Sequence, residues 1–102
     1  MQWVYVTASN RDEALSVARA CVEARLAACA NVLDGATSVY WWDGAVREGP
    51  ETVLIMKTRR DLVDALTEKV RAVHGYSCPC VVSLDIDNGN PAFLQWIGEE
   101  TR

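Results

Sequence analysis

The sequence predicts an α+β fold, a ferredoxin-like β-α-β-β-α-β unit with a long central hairpin and one further helix at the C-terminus. Short runs rich in aromatic and β-branched residues alternate with two segments whose apolar residues recur every three or four positions. An Asp43-Gly44 pair separates two extended segments, which is a strong hairpin signal. This order of elements is typical of the split βαβ arrangement, in which an antiparallel sheet carries helices on one face.

The first strand and the first helix are predicted from adjacent signals. Trp3 to Thr7 is rich in aromatic and β-branched residues, as in a buried strand. Asn10 followed by Glu13 indicates a helix N-cap with its capping partner. We expect this helix to end near Leu26 or Ala27. Its apolar stripe comprises Ala14, Val17, Ala18, Cys21, Val22 and Leu26.

The central hairpin is the longest predicted feature. Cys29 to Trp42 is expected to form a long strand that Asp34-Gly35 bends or bulges. Glu51 to Thr58 is the expected return strand. Within it, the run from Val53 to Met56 is apolar on both faces. The return strand should therefore lie between two layers, or against another subunit.

A second helix, a fourth strand and a short helix complete the prediction. Thr58 with Asp61 is expected to begin the second helix. Gly75 lies just past its end, where glycine readily adopts the left-handed conformation that caps a helix. Cys80 to Ile86 is the expected fourth strand. Asn90-Pro91 then starts a short helix with proline at its first position. The core stripe of the second helix is Leu62, Val63, Leu66, Val70 and Val73, and the last helix carries Phe93, Leu94 and Ile97.

Length, charge and cysteine content narrow the class of protein. The 102 residues allow one domain, covering residues 1–102, and half of them are apolar. The net charge of −4, without a Lys/Arg run, argues against binding to nucleic acid or to a membrane surface. Neither a signal peptide nor an apolar run of about 20 residues is visible. We therefore expect a cytoplasmic protein whose four cysteines stay reduced.

The richest chemistry lies between His74 and Cys80, a window that holds the only histidine and two of the four cysteines. Imidazole nitrogen and thiolate sulfur bind soft and borderline metals best. In an extended segment Cys78 and Cys80 would point to the same face, so with His74 they could converge on one Cu(I) or Zn(II) ion. The spacing H-x-x-x-C-x-C is not a standard zinc-finger pattern. The alternative is that both cysteines fill strand positions as small apolar residues.

Five short motifs, in order, resemble the CutA divalent-cation tolerance family. The resemblance spans nearly the whole chain, and its order makes the match specific although each motif is short. The motifs are Arg25-Leu26-Ala27-Ala28-Cys29-Ala30-Asn31, Thr37-Ser38-Val39-Tyr40-Trp41-Trp42-Asp43-Gly44, Lys57-Thr58, His74-x-Tyr76-x-x-Pro79 and Leu94-x-Trp96-Ile97.

The resemblance implies a tight homotrimer of ferredoxin-like subunits whose long hairpins pair with their neighbours, as in the trimeric PII signalling proteins. It also implies a role in tolerance to copper and other divalent cations, with a cleft between subunits as the ligand site. The protein would act on metal ions directly or through an unidentified protein partner.

The window around His74 departs from the family pattern. Relatives commonly have proline, glutamate and glutamate where this chain has Gly75, Ser77 and Cys80. Hard carboxylate ligands are thereby replaced by soft thiols. We expect any metal preference to move from oxygen-liking ions toward Cu(I), Zn(II) or Hg(II).

Four residues are candidates for the ligand cleft, each with a structural alternative. Cys29 is a candidate metal ligand within the family signature, or else a small buried apolar residue. His74 and Tyr76 are candidate metal or anion contacts, although a histidine at a helix C-terminus also binds the terminal carbonyl groups. Lys57 is a candidate anion-binding residue, or else a partner in a salt bridge within the trimer. With Cys78 and Cys80, which come from the window and not from the family pattern, the candidate metal ligands are His74, Cys29, Cys78 and Cys80.

Large aromatic residues indicate where subunits meet. Tyr40, Trp41 and Trp42 near the hairpin tip would be exposed in a monomer, and such clusters usually mark an interface. Trp96 is assigned to a subunit contact as well.

With one histidine and no phosphate loop or nucleophile motif, an enzyme is not expected. The alternative function is a PII-like module that binds a small anion, or an assembly scaffold, with no physiological metal.

Overall fold

The computed structural model describes all 102 residues and confirms the predicted fold class. A four-stranded antiparallel sheet has the order β2-β3-β1-β4. A short 3-10 turn, Arg60–Leu62, precedes the second helix. The strands are β1 (Gln2–Ala8), β2 (Cys29–Trp42), β3 (Ala45–Thr58) and β4 (Val81–Asp85), and the helices are α1 (Arg11–Glu23), α2 (Val63–Val73) and α3 (Pro91–Glu100).

The hydrophobic core lies between the sheet and helices α1 and α2. Because strand side chains alternate between faces, alternate residues of β1 and β3 enter this core and are fully buried. The core side chains are Val4, Val6, Leu54 and Met56 from the strands, Val17, Ala18 and Cys21 from α1, Leu66 and Val70 from α2, and Ala27.

The other face of the sheet is also apolar but has no helix over it. Val53 and Ile55 of β3 are half-buried there, and Val82 and Leu84 of β4 are 54% and 59% exposed. The apolar run in β3 therefore has side chains on both faces of the sheet, as predicted. We call the set Trp3, Tyr5, Val53, Ile55, Val82 and Leu84 the outer face.

The long hairpin turns at the predicted dipeptide. Asp43 and Gly44 both have positive φ, 51° and 76°, which is the geometry of a type I′ turn that matches the twist of the two strands. The predicted bulge is confirmed by the register shift between Leu33 and Ala36. Strand β3 begins at Ala45 rather than at the predicted Glu51. The tight turn brings residues 45–50 alongside β2, and their backbone pairs with that strand although their side chains lack the alternating pattern of a strand.

Helix α1 ends earlier than predicted, at Glu23. Arg25 has a positive φ of 63°, and its N–H donates to the Val22 carbonyl while that of Leu26 donates to the Cys21 carbonyl, both at 3.0 Å. This is a Schellman motif. The apolar stripe placed the predicted end of the helix too late, because Leu26 still packs against the core after the chain has left the helix.

The predicted N-caps of α1 and α3 are confirmed. The Asn10 side chain accepts a hydrogen bond from the Glu13 N–H at 2.9 Å, and the Asn90 side chain accepts one from the Ala92 N–H at 3.1 Å.

Strand β4 is shorter at each end than the predicted Cys80 to Ile86. None of the helices combines the length and apolar character needed to cross a membrane.

The predicted start of α2 is wrong, and its C-terminal end lies where predicted but without the predicted cap. Thr58 does not cap the helix, because its buried hydroxyl has no hydrogen-bond partner, and the 3-10 turn intervenes before Val63. Gly75 does not form a left-handed cap. The helix ends at Val73, and its C-cap is His74, whose backbone is extended with φ −83° and ψ 146°. Val73 of the predicted core stripe is 39% exposed.

Candidate functional site

A groove with a volume of about 320 Å³ lies where the segment after α2 meets the end of β1 and the hairpin. Its wall combines aromatic rings, one carboxylate and two thiols. We call it the Tyr76 groove. Its lining residues are Thr7, Tyr40, Trp42, Glu51, Tyr76, Ser77, Cys78 and Cys80.

His74 lies beneath this groove with its side chain fully buried. Its Nε2 is 2.8 Å from the carbonyl oxygen of Thr7, and its Nδ1 accepts a hydrogen bond from the Tyr76 N–H at 3.0 Å. Since a carbonyl oxygen only accepts, the ring is the tautomer protonated at Nε2. Both nitrogens are thus occupied within the subunit, which argues against a metal-ligand role for His74. The ring binds a strand carbonyl rather than the terminal carbonyls of its own helix.

Glu13 of α1 holds the same segment from the other side. Its carboxylate accepts hydrogen bonds from the N–H of Ser9 at 2.9 Å and of Gly75 at 3.1 Å. A Cβ at position 75 would lie 2.3 Å from Glu13 Oε2, so glycine permits this close approach. A proline, which has no N–H, could not make the bond. Burial raises the pKa of Glu13, but the hydrogen bonds from Ser9, the nearby His74 ring and the hydrogen bond from Gly75 together outweigh it, so the pKa lies below the ordinary 4.5.

Tyr76 is fixed in the groove by its ring and by its hydroxyl. The ring packs against His74 with centroids 4.7 Å apart, and the hydroxyl donates to Glu51 Oε2 at 2.9 Å. Burial, with the hydrogen bond to Glu51, raises the pKa of Tyr76 to about 12. Sequence reasoning missed Glu51, because nothing in a strand residue 25 positions away from Tyr76 indicates this contact.

Cys78 and Cys80 are exposed free thiols on the groove wall. Burial and the nearby Glu51 carboxylate raise the pKa of the Cys80 thiol. The subunit contains no group of three or more His, Cys, Asp or Glu side chains arranged to hold a metal ion. Within one subunit His74 is not arranged with Cys78 and Cys80 as a metal site, because both of its ring nitrogens are already bound.

Cys29 and Lys57 lie outside the Tyr76 groove. They are directly opposite each other on β2 and β3, and Lys57 is also paired with Trp3 at the start of β1. The groove is near Thr7, which is four residues, or roughly 13 Å, further along β1. Lys57 is half-buried, and its Nζ donates to Asn31 Oδ1 at 3.3 Å without any carboxylate partner. The four expected cleft residues are thus divided between two places in one subunit.

The aromatic residues assigned to an interface are exposed, as expected for a single subunit. Tyr40, Trp41 and Trp42 are 46%, 75% and 58% exposed. Tyr40 and Trp42 line the groove, whereas Trp41 points to the opposite side of the strand. Trp96 is 37% exposed on α3, 5.4 Å from the Phe93 ring, and lines a separate cavity.

Replacing Glu51 by glutamine should make Cys80 more reactive. Removing the carboxylate charge lowers the pKa of Cys80 and increases its thiolate fraction at pH 8, while glutamine still offers Tyr76 an acceptor. In a Cys78→Ser background, we expect E51Q to accelerate alkylation of Cys80 by iodoacetamide severalfold, as followed by mass spectrometry of the Cys80 peptide. The matched control is Glu48→Gln on the same strand, which should leave the rate unchanged. An unchanged rate in E51Q would contradict the assigned contact.

Comparisons with known proteins agree with this fold. The family model described as "CutA1 divalent ion tolerance protein" matches residues 2–100. The chain is 46% identical over 99 residues to Protein CutA 1, chloroplastic, of Oryza sativa, and 48% identical over 95 residues to the CutA homolog of Xenopus laevis. These matches cover 97% and 93% of this chain but only 56% and 63% of those relatives. The chain therefore spans little more than half the length of these two relatives.

A bacterial relative matches over almost its whole length. The divalent-cation tolerance protein CutA of Thermus thermophilus is 42% identical over 98 residues, which are 96% of this chain and 95% of that protein. The solved Thermus structure has a TM-score of 0.97, with all of both chains covered. The solved CutA1 from Oryza sativa has a TM-score of 0.96 at 44% identity, covering 99% of this chain and 93% of that one. The chain therefore belongs to the CutA1 divalent ion tolerance family.

Proposed function

We propose that this protein is a homotrimeric divalent-cation tolerance protein that binds Cu(I), Zn(II) or a similar soft metal ion at a cleft between subunits, beside the Tyr76 groove. One observation supports it above all. Two free thiols, Cys78 and Cys80, line a groove whose aromatic wall and adjoining sheet are left exposed by a single subunit.

The assembly is supported by the apolar surface that one subunit leaves uncovered. The outer face carries apolar side chains from three neighbouring strands, and the hairpin adds Tyr40, Trp41 and Trp42. Clusters of exposed large apolar side chains usually mark an interface. A sheet with apolar residues on both faces is typical of one covered by a second layer, and here a neighbouring subunit would supply that layer.

The metal preference is supported by the donor atoms. Thiolates select soft ions such as Cu(I) and Zn(II), whereas carboxylates and carbonyl groups suit harder ions. One subunit supplies Cys78 and Cys80 but no third ligand beside them. A second subunit would have to complete the site, and Cys29 could take part only if the assembly brought it there. Relatives are named divalent-cation tolerance proteins.

Lys57 favours the second candidate function, a module that binds a small anion or acts as a scaffold. Lys57 is half-buried as a residue, and its ammonium group has an amide oxygen as its only hydrogen-bond partner and forms no ion pair within the subunit. A partly buried cation is stabilised by a negative partner. Either a bound anion or a carboxylate of a neighbouring subunit would provide it.

A non-enzymatic role and a cytoplasmic location are part of this proposal. The only histidine has both nitrogens engaged, so no free imidazole base stands beside either groove thiol. Four free thiols are suited to a reducing compartment. Relatives include proteins named chloroplastic and periplasmic.

A charge on the outer face should disrupt the assembly. We expect the wild-type protein to sediment with about three times the subunit mass of 11.3 kDa, and Leu84→Asp to sediment as a monomer because it places a carboxylate in the apolar contact. Ser83→Asp is the matched control, since Ser83 is exposed on the same strand but faces the other side. A wild-type monomer at all concentrations would overturn the trimer.

Metal selectivity can be measured by anaerobic titration with Cu(I) and Mn(II) against competing chelators. We expect stoichiometric Cu(I) binding, weak Mn(II) binding, and a loss of Cu(I) affinity of at least about tenfold in Cys78→Ser/Cys80→Ser. Ser77→Ala, a groove substitution that removes no thiol, should bind Cu(I) like wild type. Equally weak binding of both ions, unchanged by the cysteine substitutions, would contradict the metal site.

A further inference from the structure

We propose that His74 and Glu13 form a pH-sensitive switch, in which protonation of the imidazole releases the Tyr76 N–H and loosens residues 75–80. Both side chains belong to one subunit, and the imidazole is fully buried in it. The switch therefore needs no access to the Tyr76 groove from solvent, and it does not depend on the proposed metal site.

The two ring nitrogens of His74 respond differently to an added proton. Nε2 donates to the Thr7 carbonyl at 2.8 Å in either charge state, so this bond is kept. Nδ1 accepts the Tyr76 N–H at 3.0 Å only while it carries no proton itself. Protonation turns Nδ1 into a second donor that faces the donor of Tyr76, and the hydrogen bond between them is lost. The buried ring therefore cannot gain a proton without freeing the Tyr76 amide.

Glu13 of α1 provides the alternative partner for the protonated ring. Its Oε1 lies 4.0 Å from Nδ1 of His74, so a displacement of the ring by about 1 Å would bring the two atoms within hydrogen-bond distance. Burial raises the pKa of Glu13, but its hydrogen bonds and the nearby imidazole hold it below the ordinary 4.5. The carboxylate is therefore still charged between about pH 5 and pH 8, where histidines change charge.

The other charged groups around the ring do not compete for Glu13. The strand β1 presents only a carbonyl group, and β3 contributes Glu51, which accepts the Tyr76 hydroxyl at 2.9 Å. Neither carboxylate is paired with a lysine or an arginine. On α2 itself, Arg71 is paired with Glu68 at the exposed surface. A proton on the ring is thus met by unpaired negative charge from α1.

The release acts on the segment that forms one wall of the groove. Once its N–H is free, Tyr76 still has its hydroxyl bond to Glu51, and the Gly75 N–H still has its bond to Glu13. The change is therefore a local loosening between these two anchors and not an unfolding of the subunit. Because the two groove thiols follow Tyr76 directly in the chain, acidification loosens the part of the wall that carries them.

The experiment follows the imidazole resonances and the hydrogen exchange of the Tyr76 N–H by NMR of the full chain, between about pH 8 and pH 5. We expect the protection of this amide, relative to a free amide at each pH, to fall at least about tenfold as the ring gains its proton. The His74 N–H, which donates to the Val70 carbonyl at 2.8 Å, is the internal control and should keep its protection. A ring that gains a proton without this loss, a ring that stays neutral throughout, or an equal loss at the His74 N–H would overturn the proposal.

A variant of Glu13 tests its part in the switch. In Glu13→Gln the side chain still offers an acceptor to the Gly75 N–H, but it has no charge for the protonated ring. We expect the midpoint of His74 protonation to move to lower pH by at least about half a unit. Glu68→Gln is the matched control, because this exposed carboxylate on α2 pairs with Arg71, and it should leave the midpoint unchanged. An unshifted midpoint in Glu13→Gln, or an equal shift in both variants, would contradict the assignment of Glu13.

Discussion

The arrangement of the candidate site depends on the two hydrogen bonds of one buried imidazole. His74 is the C-cap of α2, donates from Nε2 to the Thr7 carbonyl of β1, and accepts at Nδ1 from the Tyr76 N–H. A buried polar group that loses its partner costs about 1–3 kcal/mol, so both bonds are needed for the ring to be stable in its position. The segment after the helix is therefore held at the end of β1.

A chain of hydrogen bonds extends from this histidine to the groove wall. Glu13 of α1 binds the N–H of Gly75, His74 binds the N–H of Tyr76, and the Tyr76 hydroxyl binds Glu51 of β3. The bonds thus join the first helix, the segment after α2 and the hairpin. Satisfied networks of this kind make a region rigid, which explains how an irregular segment can present an ordered aromatic ring and two thiols to solvent.

Most of the fold could be predicted from sequence because its signals are local. The apolar periodicity, the Asp43-Gly44 turn and the N-cap residues Asn10 and Asn90 each act within a few positions. The end of α1 was missed for a physical reason. Leu26 keeps the helical spacing and still packs on the core after the Schellman motif has ended the helix.

The site could be predicted only in part, because its contacts join distant positions. The window from His74 to Cys80 was found by residue type, and it does form one wall of the groove. Its histidine looked like a metal ligand because the sequence does not show a carbonyl 67 positions away that binds the ring. Strand register likewise separates Cys29 and Lys57 from the groove.

The central claim is that His74 is a structural imidazole that positions the groove and is not a metal ligand. NMR of the intact protein labelled with ¹⁵N-histidine tests it most directly, since the nitrogen shifts report which ring nitrogen carries the proton. We predict that Nε2 carries the proton and Nδ1 accepts, with ring resonances unchanged when Cu(I) is added. A tautomer protonated at Nδ1, or ring nitrogens that shift on Cu(I) binding as expected for a ligand, would contradict the claim.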